Sequence, residues 1–107
     1  GTSQLSLQGK RQLDEAVDNL RHYPKFRVVI KGHTAPKGDP AANRVLSQER
    51  AAAVARYLTV THGIDPPRLR TLGFGGEQGL PRQPGESRRA YRDRLARVEL
   101  ILASEVY

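Results

Sequence analysis

The stretch Phe26–Leu58, FRVVIKGHTAPKGDPAANRVLSQERAAAVARYL, constrains the fold more than any other part of the 107-residue chain. Phe26, Val28 and Ile30 alternate with Arg27 and Lys31, the period of a strand with one buried face, which predicts a strand over Phe26–Gly32. Gly32-His33-Thr34 ends it, and Pro36, Gly38 and Pro40 predict a loop. Ser47 fits a helix N-cap with Glu49 in the first turn, so the following helix is expected from Ser47 to about Thr61. Arg50 then falls in that first turn, where a cation costs about 0.3–1 kcal/mol unless an anion is near. A guanidinium beside free N–H groups, facing a polar loop, suits a carboxylate or phosphate.

Around this unit the periodicity places the remaining elements. Leu13, Ala16, Val17 and Leu20 share one face of a helix expected over Gln8–His22, with Ser6 as N-cap and Pro24 as the stop. The second helix buries Ala51, Val54, Ala55 and Leu58, and Gly63 is a C-terminal signal. A strand is expected over Arg68–Gly75 with Leu69 and Leu72 buried. Another covers Arg97–Ala103, with Val98, Leu100 and Leu102 on one face. Between them, residues 76–95 are rich in Gly, Pro and Arg, long for a loop, with Ser87–Leu95 able to form a short helix. The order helix, strand, helix, strand, strand predicts an α+β sandwich, a mixed sheet with both helices on one face.

The length fits a single domain over residues 1–107, which reads as a piece excised from a longer protein because no export signal precedes the first helix. A hydrophobic share of 37% excludes a disordered chain, and no apolar run reaches the ~20 residues of a membrane span. Without cysteine there are no disulfides or thiolate metal sites. The histidines show no metal-ligand spacing, so neither a metal nor a cofactor is expected. A net charge of +7, with 14 of the 18 basic residues arginine, favours anionic partners. That charge is spread evenly, +4 over residues 1–66 and +3 over the rest, and Tyr91 is the one aromatic among the arginines of the 82–97 region. A nucleic-acid surface is therefore not expected.

Gly32-His33-Thr34, Asn43, Leu46-Ser47, Arg50-Ala51, Val54 and Tyr57-Leu58 resemble the signature of the OmpA-like C-terminal domain, roughly GHTD…N..LS..RA..V..YL. The resemblance spans about Leu5–Leu102 and implies a β/α/β/α/β-β sandwich. The family's first strand is here absent or reduced to Gly1–Leu5, which would leave a sheet edge bare. It also implies a non-catalytic, periplasmic module of the Gram-negative envelope, tethered to the outer or inner membrane by a region outside this chain. Such a module binds the diaminopimelate of the peptidoglycan stem peptide between a loop aspartate, which takes the ammonium, and a helix arginine, which takes the carboxylate.

Carried over by position, Arg50 is the carboxylate ligand, Asn43 shapes the loop, Leu46 packs it, Thr34 lies on the rim and Arg97 is the retained arginine of the family's closing NRRVE segment. Ala35 stands where the family has its aspartate, and Leu95 and Ala96 replace the segment's asparagine and first arginine. Losing a carboxylate that pairs a partly desolvated ammonium costs on the order of 2–5 kcal/mol. Asp39, four residues on, is the candidate replacement; the alternative is a Gly-Asp-Pro turn facing solvent. A second reading is a degenerate domain serving an envelope protein partner or self-association, with Arg82, Arg88, Arg89, Arg92, Arg94 and Arg97 either a solvated surface or a docking one. The third is a small hydrolase pairing His33 with Asp39 or Glu49.

Overall fold

The computed structural model describes the backbone of residues 7–103 and the side chains of residues 11–102. The expected N-cap Ser6 and the short N-terminal strand lie outside those residues. Elements follow in the order α1 (Leu7–His22), β1 (Arg27–His33), α2 (Pro40–His62), a 3-10 turn (Pro66–Arg68), β2 (Leu69–Gly73), α3 (Arg88–Leu95) and β3 (Arg97–Ala103). The sheet order is β2-β1-β3, with β1 parallel to β2 and antiparallel to β3. This is the expected α+β arrangement with a mixed sheet.

Parity along β1 explains the layering. Val28, Ile30 and Gly32 are buried on one face. Leu13, Val17 and Leu20 of α1 and Ala51, Val54 and Leu58 of α2 join Val28 and Ile30 in one cluster, so both helices cover the same side of the sheet. Leu69, Val98 and Leu100 pack against this core. Leu72 does not belong to it: it pairs with Lys31, and its alternation with Leu69 turns it to the opposite face. Leu102 keeps the expected face but is 44% exposed.

The largest departure from expectation is the start of α2. Pro40, read from sequence as a loop residue, is its first residue, and Asp39 caps it by accepting a 3.0 Å hydrogen bond from the Ala42 amide. Proline at that position has no N–H to orphan and its φ is preset for the helix. Ser47 is therefore not a cap but a fully buried residue inside the helix. Gly63 ends α2 in the left-handed region at φ 68, as its position after the apolar pattern predicts. The strand expected from Arg68 is shorter, because Pro66-Pro67 initiate the 3-10 turn.

Candidate functional site

Where α2 crosses the C-terminal ends of β1 and β2, helix and sheet meet at backbone distance. A Cβ on Gly32 would lie 2.0 Å from the Ser47 carbonyl oxygen, and one on Gly73 would lie 2.6 Å from the Gln48 amide nitrogen. Only glycine permits that approach. The Ser47 hydroxyl donates to the Arg44 carbonyl at 2.9 Å and accepts from the Gly75 amide at 2.8 Å, tying the helix to the chain leaving β2. The Phe74 amide donates to Gly32 O at 3.1 Å and the Thr34 amide to Gly75 O at 2.8 Å, which extends the strand pairing to the mouth of the loop.

The loop from Thr34 to Asp39 is braced rather than open. The Lys37 amide donates to Ala35 O at 2.9 Å, and the Asn43 side-chain amide donates to Lys37 O at 3.1 Å. Asn43 thus holds the loop from α2, as its family position implies. Arg50, half-buried, reaches the same end of β1, where Nη1 donates to His33 O at 3.4 Å. It lies ten residues after Pro40, roughly 15 Å along the helix. The α2 N-terminus therefore adds no free N–H groups to its surroundings. That corrects the expected first-turn placement of Arg50: the sheet-facing side of α2 presents it, and the dipole does not.

His33 is fully buried, stacks on Phe74 with centroids 5.6 Å apart and meets Glu99 Oε1 through Nε2 at 2.6 Å. Burial pushes the imidazole pKa below its usual 6.5, and the Glu99 hydrogen bond offsets this only in part. A neutral ring then donates from Nε2 to the carboxylate. Glu99 is itself raised by burial, but the His33 bond and the Arg97 charge outweigh that and hold it below its ordinary value. This pairing corrects the hydrolase reading: His33 engages neither Asp39 nor Glu49. No group of described residues has the composition of a metal site.

Thr34 and Arg50 come together at the end of β1, and the buried Thr34 hydroxyl has no hydrogen-bond partner. Leu46 is half-buried on α2 in the turn before Arg50. Arg97 pairs across the sheet with His33 and spends its guanidinium internally, on Leu95 O at 3.0 Å, Gln78 O at 3.3 Å and, as a looser ion pair, Glu99 at 3.4 Å. Asp39, used as the α2 cap, is not turned to Arg50. Arg82 and Arg94 bind Glu86, while Arg88, Arg89 and Arg92 remain exposed.

Two participants escaped the sequence reading. Glu99 stands in the sequence only as the last letter of the closing segment, and Ser47 reads as a cap because serine is a common one.

A family model described as the OmpA family matches residues 1–93. The peptidoglycan-associated lipoprotein of Pseudomonas aeruginosa is 36% identical over 77 residues, covering 72% of this chain and 45% of that protein. Outer membrane protein A of Bordetella avium is 33% identical over 99 residues, covering 92% of this chain and 50% of that protein. The chain therefore spans about half the length of these relatives. The crystal structure of the peptidoglycan-associated lipoprotein from Burkholderia pseudomallei superposes with a TM-score of 0.80 at 23% identity, covering 94% of this chain and 82% of that one, a likeness of fold.

Proposed function

The chain belongs to the OmpA family, and from that premise we propose that it is a non-catalytic module of the cell envelope that binds the peptidoglycan stem peptide. Arg50 takes the free carboxylate of diaminopimelate, Thr34 and the braced loop form the rim, and Asn43 and Leu46 keep the loop in place. The domain lies in the periplasm, tethered by a region outside this chain. No described helix is long and apolar enough to cross a membrane.

The observation that carries this reading is the buried Thr34 hydroxyl without a hydrogen-bond partner, one residue from the carbonyl that Arg50 grips. Buried polar groups are normally satisfied, and a ligand oxygen or nitrogen at that rim supplies the missing partner. A carboxylate offered to Arg50 brings an anion that matches the planar guanidinium fork, which the neutral His33 carbonyl at 3.4 Å does not.

A second reading has its own observation. Leu95, at the position of the family's asparagine, is 3% exposed and packs as a core residue, while Ala35 supplies no carboxylate and Asp39 caps α2. These two changes and the capping role of Asp39 favour a domain that keeps the fold, binds stem peptide poorly and serves contact with another envelope protein or with a second copy.

Co-sedimentation with purified sacculi separates the two. The first reading expects the natural chain to pellet, Arg50→Ala to stay soluble, and Ala35→Asp to bind roughly thirty-fold tighter or more, the lower end of what a restored ammonium partner contributes. Equal pelleting of Arg50→Ala overturns it. A soluble natural chain that pellets only as Ala35→Asp establishes the second reading.

A further inference from the structure

At the opposite end of β1, about 20 Å from His33 by strand rise, the sheet carries a depression of about 300 Å³ lined by Arg27, Val29, Pro67, Arg68, Leu69 and Arg70. Val28 and Ile30 face the helices, so Arg27 and Val29 point to the other side of the sheet, and Arg70 is the register partner of Val29. Two exposed arginines thus lie diagonally across one parallel strand pair. Like charges so placed repel one another.

Arg68 completes the group and is not a swinging surface side chain. Its Nε donates to Phe26 O at 3.0 Å, and its Nη2 donates to Leu20 O at 3.1 Å and Tyr23 O at 2.9 Å. These carbonyls, at and just beyond the last turn of α1, hold the guanidinium in place and leave Nη1 outside the set. Among the described residues, no carboxylate forms an ion pair with Arg27, Arg68 or Arg70. Arg94 and Arg97 differ in this respect, pairing with Glu86 and Glu99.

From this placement we infer that the Arg27–Arg68–Arg70 depression is an anion site for a phosphate monoester, separate from the Arg50 end and independent of peptidoglycan binding. The charge count selects the ligand. One carboxylate neutralises one guanidinium, whereas a phosphate monoester carries about −1.5 to −2 charges and three strong acceptor oxygens. Planar guanidinium forks match phosphate geometry. Val29 and Pro67 supply an apolar wall for the carbon that bears the phosphate. The same group is presented by a free sugar or glycerol phosphate and by a lipid headgroup such as phosphatidic acid.

The test is an amide NMR titration of the full chain with glycerol 3-phosphate at constant ionic strength, with vesicle co-flotation as the second arm. Saturable shifts are expected at residues 27–29 and 68–70. They should be at least tenfold weaker in the double variant Arg27→Ala/Arg70→Ala and unchanged in Arg50→Ala. Both replaced arginines are exposed, and the described structure gives neither a side-chain hydrogen bond or an ion pair. Arg68 is left in place because it holds three carbonyls. Flotation with phosphatidic acid vesicles but not with phosphatidylcholine assigns the site to a headgroup, and shifts without flotation assign it to a soluble ester. No saturable shift, identical shifts in the double variant, or equal response to chloride overturns the inference. Equally tight binding of an acidic peptide overturns the phosphate assignment.

Discussion

The β1–α2 unit and the segment running from Gly76 to Ala96 meet where Gly76 lies close against Pro36 and Arg44 pairs with Glu77, yet they are held by different physics. In the first, helix and strands touch backbone to backbone through Gly32 and Gly73, with the buried Ser47 hydroxyl as the polar pin. In the second, the chain folds around one carboxylate. Arg94 binds Glu86 in bidentate fashion at 2.8 and 3.0 Å, Arg82 grips the Glu86 carbonyl, and the Gln83 amide donates to Glu86 Oε1 at 3.0 Å. Tyr91 adds a hydrogen bond to Leu80 O at 2.7 Å and Arg94 another to Pro81 O at 2.7 Å. Steric contact of the first kind has no salt or pH dependence, whereas a charge clamp has both. One region is therefore fixed by shape and the other by ionisation.

Gly32→Ala carries the largest expected effect. Overpacking a well-filled site usually costs about 1–3 kcal/mol, occasionally more. Here the new methyl would sit 2.0 Å from a backbone oxygen, with no flexible side chain to give way. A loss of about 3 kcal/mol or more is expected in urea unfolding. A loss below about 1 kcal/mol, the low end of overpacking costs, would show that α2 can move away from the sheet.

A smaller effect tests where α2 begins. Asp39→Ala removes the acceptor for the Ala42 amide, and loss of such a cap costs about 1 kcal/mol. Unchanged stability, with Ser47→Ala costing no more than a cap does, would return the helix start to the place the sequence suggested.

That misplacement shows what could be read from the chain and what could not. β1, α1 and the C-terminal end of α2 follow from apolar periodicity and from Gly63, which are local signals. The α2 N-terminus was hidden because Pro36, Gly38 and Pro40 read alike as loop formers, although an Asp-Pro pair is also a cap followed by a first helical residue. The sequence places Arg50 beside the loop through a helix dipole, whereas in the structure it reaches the His33 carbonyl from the interior of α2. Its position depends on helix–sheet crossing, a tertiary fact set by glycines distant in sequence. The Glu86 clamp was illegible for a similar reason: eight residues separate Glu86 from Arg94, and only the folded segment brings them to 2.8 Å.

The clamp yields the smallest and most local prediction. The bidentate Arg94 bond, followed by the Gln83 amide, lowers the Glu86 carboxyl from 4.5 to about 2. As pH falls, the unfolded chain takes up this proton before the folded one does. The stability contributed by Glu86 is therefore complete above pH 4.5 and is lost as pH falls from there to about 2. The Gln83 amide, bonded directly to the carboxylate, reports the titration by NMR with a midpoint at about 2. Arg94→Met should return the midpoint toward 4.5 while amides of residues 28–33 hardly shift, because the β1–α2 contact does not depend on that charge. A midpoint of 4.5 in the natural chain would show that the clamp is open in solution and that both regions rest on packing alone.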